Sequence, residues 1–171
     1  MSNVTATATL ESDINFTLIK AGSNLQNESA GLAYSQALTN GTGSEEINYG
    51  VIASGNLPSG GKQYFDLRAL EKEVFDLVTS VQFNQVKSII FENRQTLSGV
   101  DIHVYSTGTL ALDTLFNGGT GNVLIKPKSC YIYSDPTAGL VVDGTNREVI
   151  LGDGAVGSGA AFTLVVVGTT G

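Results

Sequence analysis

The sequence predicts an all-β fold, a sandwich or barrel of about ten to twelve short strands, and three observations carry that prediction. Apolar and polar residues alternate at period two in one segment after another. Gly, Asn, Asp, Ser and Pro punctuate nearly every gap between those segments. Charged residues are only 15% of the chain while glycine numbers 21, so the surface is largely hydroxyl, amide and backbone.

Taken in order, Val4 to Leu10 alternates apolar residues with Thr, and Ile14 to Leu18 repeats the pattern, with Glu11-Ser12-Asp13 read as a turn between two strands. Further strands are expected at Leu32 to Leu38, Ile47 to Ala53, Gln63 to Leu67, Ser80 to Phe83, Val86 to Glu92 and Val100 to Tyr105. Val123 to Lys126, Cys130 to Tyr133, Leu140 to Val142, Glu148 to Leu151 and Ala161 to Val167 complete the set. Only residues 68–76 allow a helix, of one or two turns, because Leu70, Val74 and Leu77 fall at i, i+4 and i+7. Ten charged residues lie between Lys62 and Arg94, whereas the last 23 residues hold only Asp153, so the C-terminal strands are expected to be buried on both faces or against a partner. No linker divides the 171 residues, which read as one sandwich domain with residues 1–61 as an N-terminal arm or strand-exchanging extension.

Composition excludes several functions. A net charge of -7 with nine scattered Lys and Arg lacks the clustered cations that neutralise phosphates, so no nucleic-acid partner is expected. The longest nearly uncharged apolar run, Ala160 to Gly168, is about half the roughly 20 residues of a membrane helix, and no membrane partner is expected either. Met1 through Leu10 shows neither the basic nor the apolar region of a signal peptide. The lone Cys130 forms no intrachain disulfide.

The motifs with chemical meaning are each better read as structure. Gly152-Asp153-Gly154-Ala155-Val156-Gly157 matches the glycine string of dinucleotide sites, but a β-branched strand follows where the phosphate-binding helix is required, so it reads as a hairpin loop. His103 is the only histidine; a catalytic triad would use it with Asp101 on the same strand face, and no nucleophile elbow accompanies them. One His and one Cys leave no multi-ligand metal site of those types. Glu45-Glu46 and Glu71/Glu73 read as solvated carboxylates, and Asp143-Gly144-Thr145-Asn146 as a turn rather than a calcium loop. The Asn-x-Ser/Thr strings at Asn3, Asn15, Asn27 and Asn40 occur at the rate chance gives in such a composition. Tyr131 and Tyr133 share a strand face and are the best aromatic pair for a ligand, though packing accounts for them better. No catalytic, cofactor-binding or metal-binding residue is assigned, and no cofactor is expected.

Tyr64-Phe65-Asp66-Leu67-Arg68-Ala69-Leu70, then Val81-Gln82-Phe83, then Val86-Lys87-Ser88-Ile89-Ile90-Phe91-Glu92-Asn93 together resemble small virion structural proteins of tailed bacteriophages. Val123-Leu124-Ile125-Lys126-Pro127 and the closing Ala161-Phe162-Thr163-Leu164-Val165-Val166-Val167-Gly168 are similar to later strands of the same family, so the likeness spans roughly residues 45 to 171. The resemblance implies a jelly-roll-like antiparallel β-sandwich on the virion, as a capsid decoration, cement or head-fibre protein. Its implied partner is the major capsid protein, its implied state a homo-oligomer, with trimers natural at three-fold positions. A decoration protein is made in the host cytoplasm and needs no active site; it adds contact area at capsomer junctions. The competing reading is a tail, fibre or adaptor module that binds host-surface carbohydrate.

Overall fold

The computed structural model describes residues 8–19, 27–40, 42–44, 46–74, 77–105, 115, 122–153 and 159–170, and for 8–40 and 72–79 the backbone alone. Strands make up most of it. No α-helix occurs among the described residues.

The period-two segments form strands among the described residues. The first two, β1 (Ala8–Ile19) and β2 (Asn27–Asn40), pair antiparallel with Ala8 opposite Leu38 and Ile19 opposite Asn27. β2 ends beside β3 (Glu46–Ile47), in parallel register, and among the described residues this three-stranded sheet has no ladder to any other strand. The expected turn at Glu11-Ser12-Asp13 does not form, and β1 runs straight through it. Leu10, Ser12, Ile14, Phe16 and Leu18 keep one parity, so the polar trio continues the alternation instead of breaking it. Residues 1–7 lie outside the described residues.

The remaining strands build two antiparallel sheets and a hairpin. β4 (Tyr49–Asn56), β8 (Phe83–Asn93), β11 (Ser129–Ser134) and β14 (Ala161–Thr170) lie in the order β11-β8-β14-β4, with β12 (Leu140–Val141) also on β8. β5 (Lys62–Asp66), β9 (Ile102–Tyr105), β10 (Asn122–Ile125) and β13 (Glu148–Asp153) lie in the order β10-β9-β13-β5. The hairpin is β6 (Leu70–Val74) with β7 (Leu77–Val81).

That hairpin replaces the helix allowed at 68–76. Its register sets Leu70 against Val81 and Val74 against Leu77, so the positions that suggested a helical stripe instead stand opposite one another on two strands. Both Leu70 and Val81 are buried in the main core.

The two sheets face each other across one apolar core. Val51, Ile89, Phe91, Phe162, Leu164 and Val166 line it from the five-stranded sheet; Phe65, Ile102, Val104, Ile125, Val149 and Leu151 line it from the four-stranded sheet. The Phe65 and Phe162 rings meet edge to face between the layers, with centroids 5.5 Å apart. β14 alternates buried and half-buried residues, so one of its faces belongs to the core, while β13 is buried from Val149 to Asp153 on both faces. The expectation of doubly buried C-terminal strands therefore holds for β13 alone.

Consecutive strands mostly alternate between the sheets, and Gly152 to Gly157 begins one such passage. β13 and β14 sit in the middle of different sheets, so their connection is not the hairpin loop expected from the glycine string; residues 154–158 lie outside the described residues. Two glycines are required by close approach. A β-carbon on Gly168 would overlap the Gln85 carbonyl oxygen at an irregularity in the β8–β14 ladder, and one on Gly152 would lie 2.6 Å from the Tyr105 ring.

Candidate functional site

Side chains on the outer faces of the two sheets, where the ladders bring them together, form the candidate site. On the five-stranded sheet, Ile132 stands opposite Ile90, Ile90 opposite Val165, and Val165 opposite Ile52. These four lie outside the core cluster and form an aliphatic row that crosses all four main strands. Ile52, at the end of the row, is 71% exposed. Hydroxyl and small side chains flank it: Thr163 pairs with Ser54, whose hydroxyl donates to the Thr163 hydroxyl at 3.4 Å, and Ser88 donates to the Tyr133 carbonyl at 3.0 Å. Glu92, opposite Cys130 and Thr163, is the charged residue beside the row.

The outer face of the four-stranded sheet is aromatic and cationic. His103 and Tyr105, two residues apart on β9, stack with ring centroids 5.7 Å apart, and the Lys62 ammonium lies 4.2 Å from the Tyr105 ring centre. Gly152 stands between His103 and Lys62 in the ladders, and its missing side chain makes room for the Tyr105 ring. Tyr64 and Leu124 on the same face are 57% and 43% exposed, and Ile150 is buried between Tyr64 and Tyr105.

The chemistry considered from the sequence does not assemble there. Asp101 forms an ion pair with Lys126 at 2.7 Å, and no hydrogen bond joins it to His103. His103 Nδ1 has no hydrogen-bond partner among the described residues. Glu46 accepts a hydrogen bond from the Gly43 amide at 2.7 Å, and Glu71 is exposed on the β6–β7 hairpin; Glu45 and the Glu73 side chain lie outside what is described. Among the described residues no group of three His, Cys, Asp or Glu side chains is placed to hold a metal ion. No helix there is long and apolar enough to cross a membrane.

Asp143 closes a turn, accepting hydrogen bonds from the Thr145 and Asn146 amides at 2.7 Å each and from the Thr145 hydroxyl at 2.9 Å. Those donors, the Thr145 amide first, pull its carboxyl from 3.8 to about 2. Tyr131 and Tyr133 are half-buried against the core, and Tyr131 lies beside Phe91 with ring centroids 6.1 Å apart. Burial, then the nearby Asp135 carboxylate and Tyr131, raise the Tyr133 hydroxyl above its ordinary value of 10.0. Cys130 is exposed and free. Of the acceptor strings, Asn15, Asn27 and Asn40 lie on β1 and β2, and Asn3 outside the described residues.

Reading the sequence alone missed both outer-face groupings. Each member alternates as it should, but the row and the patch exist only once registers are known. Comparison with protein-family models, curated proteins and solved structures finds no match to this chain.

Proposed function

We propose that this chain is a non-enzymatic structural protein of a tailed-bacteriophage virion, a capsid decoration or cement protein that binds the outer surface of the shell and ties neighbouring capsomers together. The observation that carries the reading is the aliphatic row Ile132, Ile90, Val165 and Ile52, which contains no charged residue and is flanked by hydroxyls, on an acidic protein. A surface of that kind gains free energy by being covered, and it is suited to a neighbour rather than to a small molecule. The resemblance of residues 45 to 171 to virion proteins names the neighbour as the major capsid protein. The strand orders β11-β8-β14-β4 and β10-β9-β13-β5, with the chain passing repeatedly between the sheets, support a jelly-roll winding.

Co-sedimentation with matching shells stripped of this protein tests the reading. Saturation at a fixed ratio to the major capsid protein, together with a higher shell melting temperature, is the expected result. A chain that stays in the supernatant at every concentration refutes it. A second reading, a tail or fibre module for host saccharide, is favoured by the exposed Tyr64 on the same sheet face as the stacked Tyr105 and His103, since sugar rings pack on aromatic faces. Binding to host glycans that Tyr64→Ala abolishes is the result that selects it.

A further inference from the structure

We infer that the shell surface covering the aliphatic row is acidic along one side, and that Arg94 and Lys128 meet its carboxylates. The inference rests on the decoration reading and names the chemistry of that partner. Along β8, residues two apart share a face, so Glu92 and then Arg94 follow Ile90 toward the end of the sandwich. The Arg94 amide donates to the Ala161 carbonyl at 2.9 Å, which keeps the chain extended one residue past β8. Glu92 and Arg94 are exposed while Asn93 between them is buried, so Arg94 lies on the outer face, about 13 Å along the strand from Ile90. Lys128 comes to the same end from the neighbouring strand. β11 begins with Ser129 opposite Asn93, and the Lys128 amide donates to the Asn93 carbonyl at 2.9 Å.

Charge sets these two cations apart. Lys126 is neutralised by Asp101, whereas neither Arg94 nor Lys128 forms an ion pair among the described residues. The strands β4, β8, β11 and β14 hold two charged residues between them, Lys87 and Glu92, and Lys87 is 1% exposed. The outer face therefore runs from the aliphatic row, through Glu92 and the Thr163 and Ser54 hydroxyls, to a cationic end. Lys128 also has an uncommon backbone, with φ of 60° in a turn that the Ser129 amide closes onto the Lys126 carbonyl at 3.1 Å, Pro127 preceding it. Glycine takes that turn position at least cost, and what lysine adds there is an exposed ammonium. A chain of charge -7 is repelled by an acidic partner except where its cations lead, and the anions of a protein shell are its Asp and Glu side chains. Covering the row brings Arg94 and Lys128 within reach of such groups.

The test uses shells stripped of this protein, either untreated or with their surface carboxylates converted to neutral amides by carbodiimide coupling to ethanolamine. The wild type is expected to bind amidated shells about tenfold more weakly than untreated ones. The double variant Arg94→Gln, Lys128→Gly is expected to bind untreated shells about tenfold more weakly than the wild type and to lose the preference between the two shells. Its melting temperature stays at the wild-type value, because both side chains are exposed and glycine suits the turn. Glu92→Gln removes the one carboxylate between the cations and the row, so it tightens binding to untreated shells about twofold. The gap between wild type and double variant narrows as salt is raised from ~0.05 to ~0.5 M. Equal binding by wild type and double variant, binding that amidation leaves unchanged, or a Glu92→Gln variant that binds more weakly overturns this inference and leaves the decoration reading standing. Absence of binding to every shell overturns both.

Discussion

Asn93 ties the two layers together at one end of the sandwich. It is fully buried at the end of β8, yet its amide nitrogen donates to the Val100 and Ile125 carbonyls at 2.9 Å each, and its oxygen accepts from the Gln95 amide at 3.0 Å. One side chain in the five-stranded sheet thereby satisfies backbone groups leading into and out of the other. Asn93→Ala leaves two carbonyls and an amide without that partner, so a loss of about 2–4 kcal/mol is expected in urea unfolding, against well under ~1 kcal/mol for a surface change. A near-neutral result would show that the clasp is replaceable. Lys87 is 1% exposed, and its ammonium donates to the Thr137 carbonyl at 3.0 Å. The residue scale also sets a pH response at Asp143. Its carboxyl is held at about 2 in the folded turn, below its ordinary 3.8, so the turn's contribution is complete above pH ~4 and is lost as pH falls from there through about 2. The amide signals of Thr145 and Asn146 are expected to titrate with a midpoint near that lower value; a midpoint near the ordinary one would mean the hydrogen bonds do not hold in solution.

At the scale of the element, the strands were legible wherever alternation was unbroken and misread where a short apolar pattern fitted two periods. Val86 to Glu92 lies inside β8 and Ala161 to Val167 inside β14. Leu70, Val74 and Leu77 fit a helical stripe as well as a hairpin, and the choice was made by Val81, which lies opposite Leu70 and buries with it. Glu11-Ser12-Asp13 resembled a turn by composition, but pairing with β2 along twelve residues holds those positions extended. β14 is the element on which most depends, because it lies between β8 and β4 and lends Phe162, Leu164 and Val166 to the core. Val166 is 1% exposed. Val166→Asp puts an unpaired carboxylate there, and loss of soluble folded protein is expected on expression, whereas a variant that melts cooperatively near the wild type would remove β14 from the core.

For the whole molecule, the β1–β2 pair belongs to a sheet that shares no ladder with the two sandwich sheets among the described residues. Among the described residues β1 pairs only with β2, and β2 pairs with β3 through two residues. Under the decoration reading, that pair is an arm that touches the shell or a neighbouring subunit. Deleting residues 2–20 is expected to weaken shell binding by more than about tenfold while shifting the melting temperature by only a few degrees, because among the described residues β1 joins a ladder with β2 alone. A large fall in melting temperature with binding intact would place β1 in the core instead. The sequence by itself determined that the chain is all-β, where most strands lie, and which side of each strand is apolar, because period-two alternation and turn chemistry act within a few residues. Only the tertiary structure decided which strands are neighbours, that Asn93 joins the layers, and that Ile132, Ile90, Val165 and Ile52 form one row. Those contacts join residues as far apart as Ser54 and Thr163, 109 positions along the chain, and alternation carries no record of partner or register across such a distance.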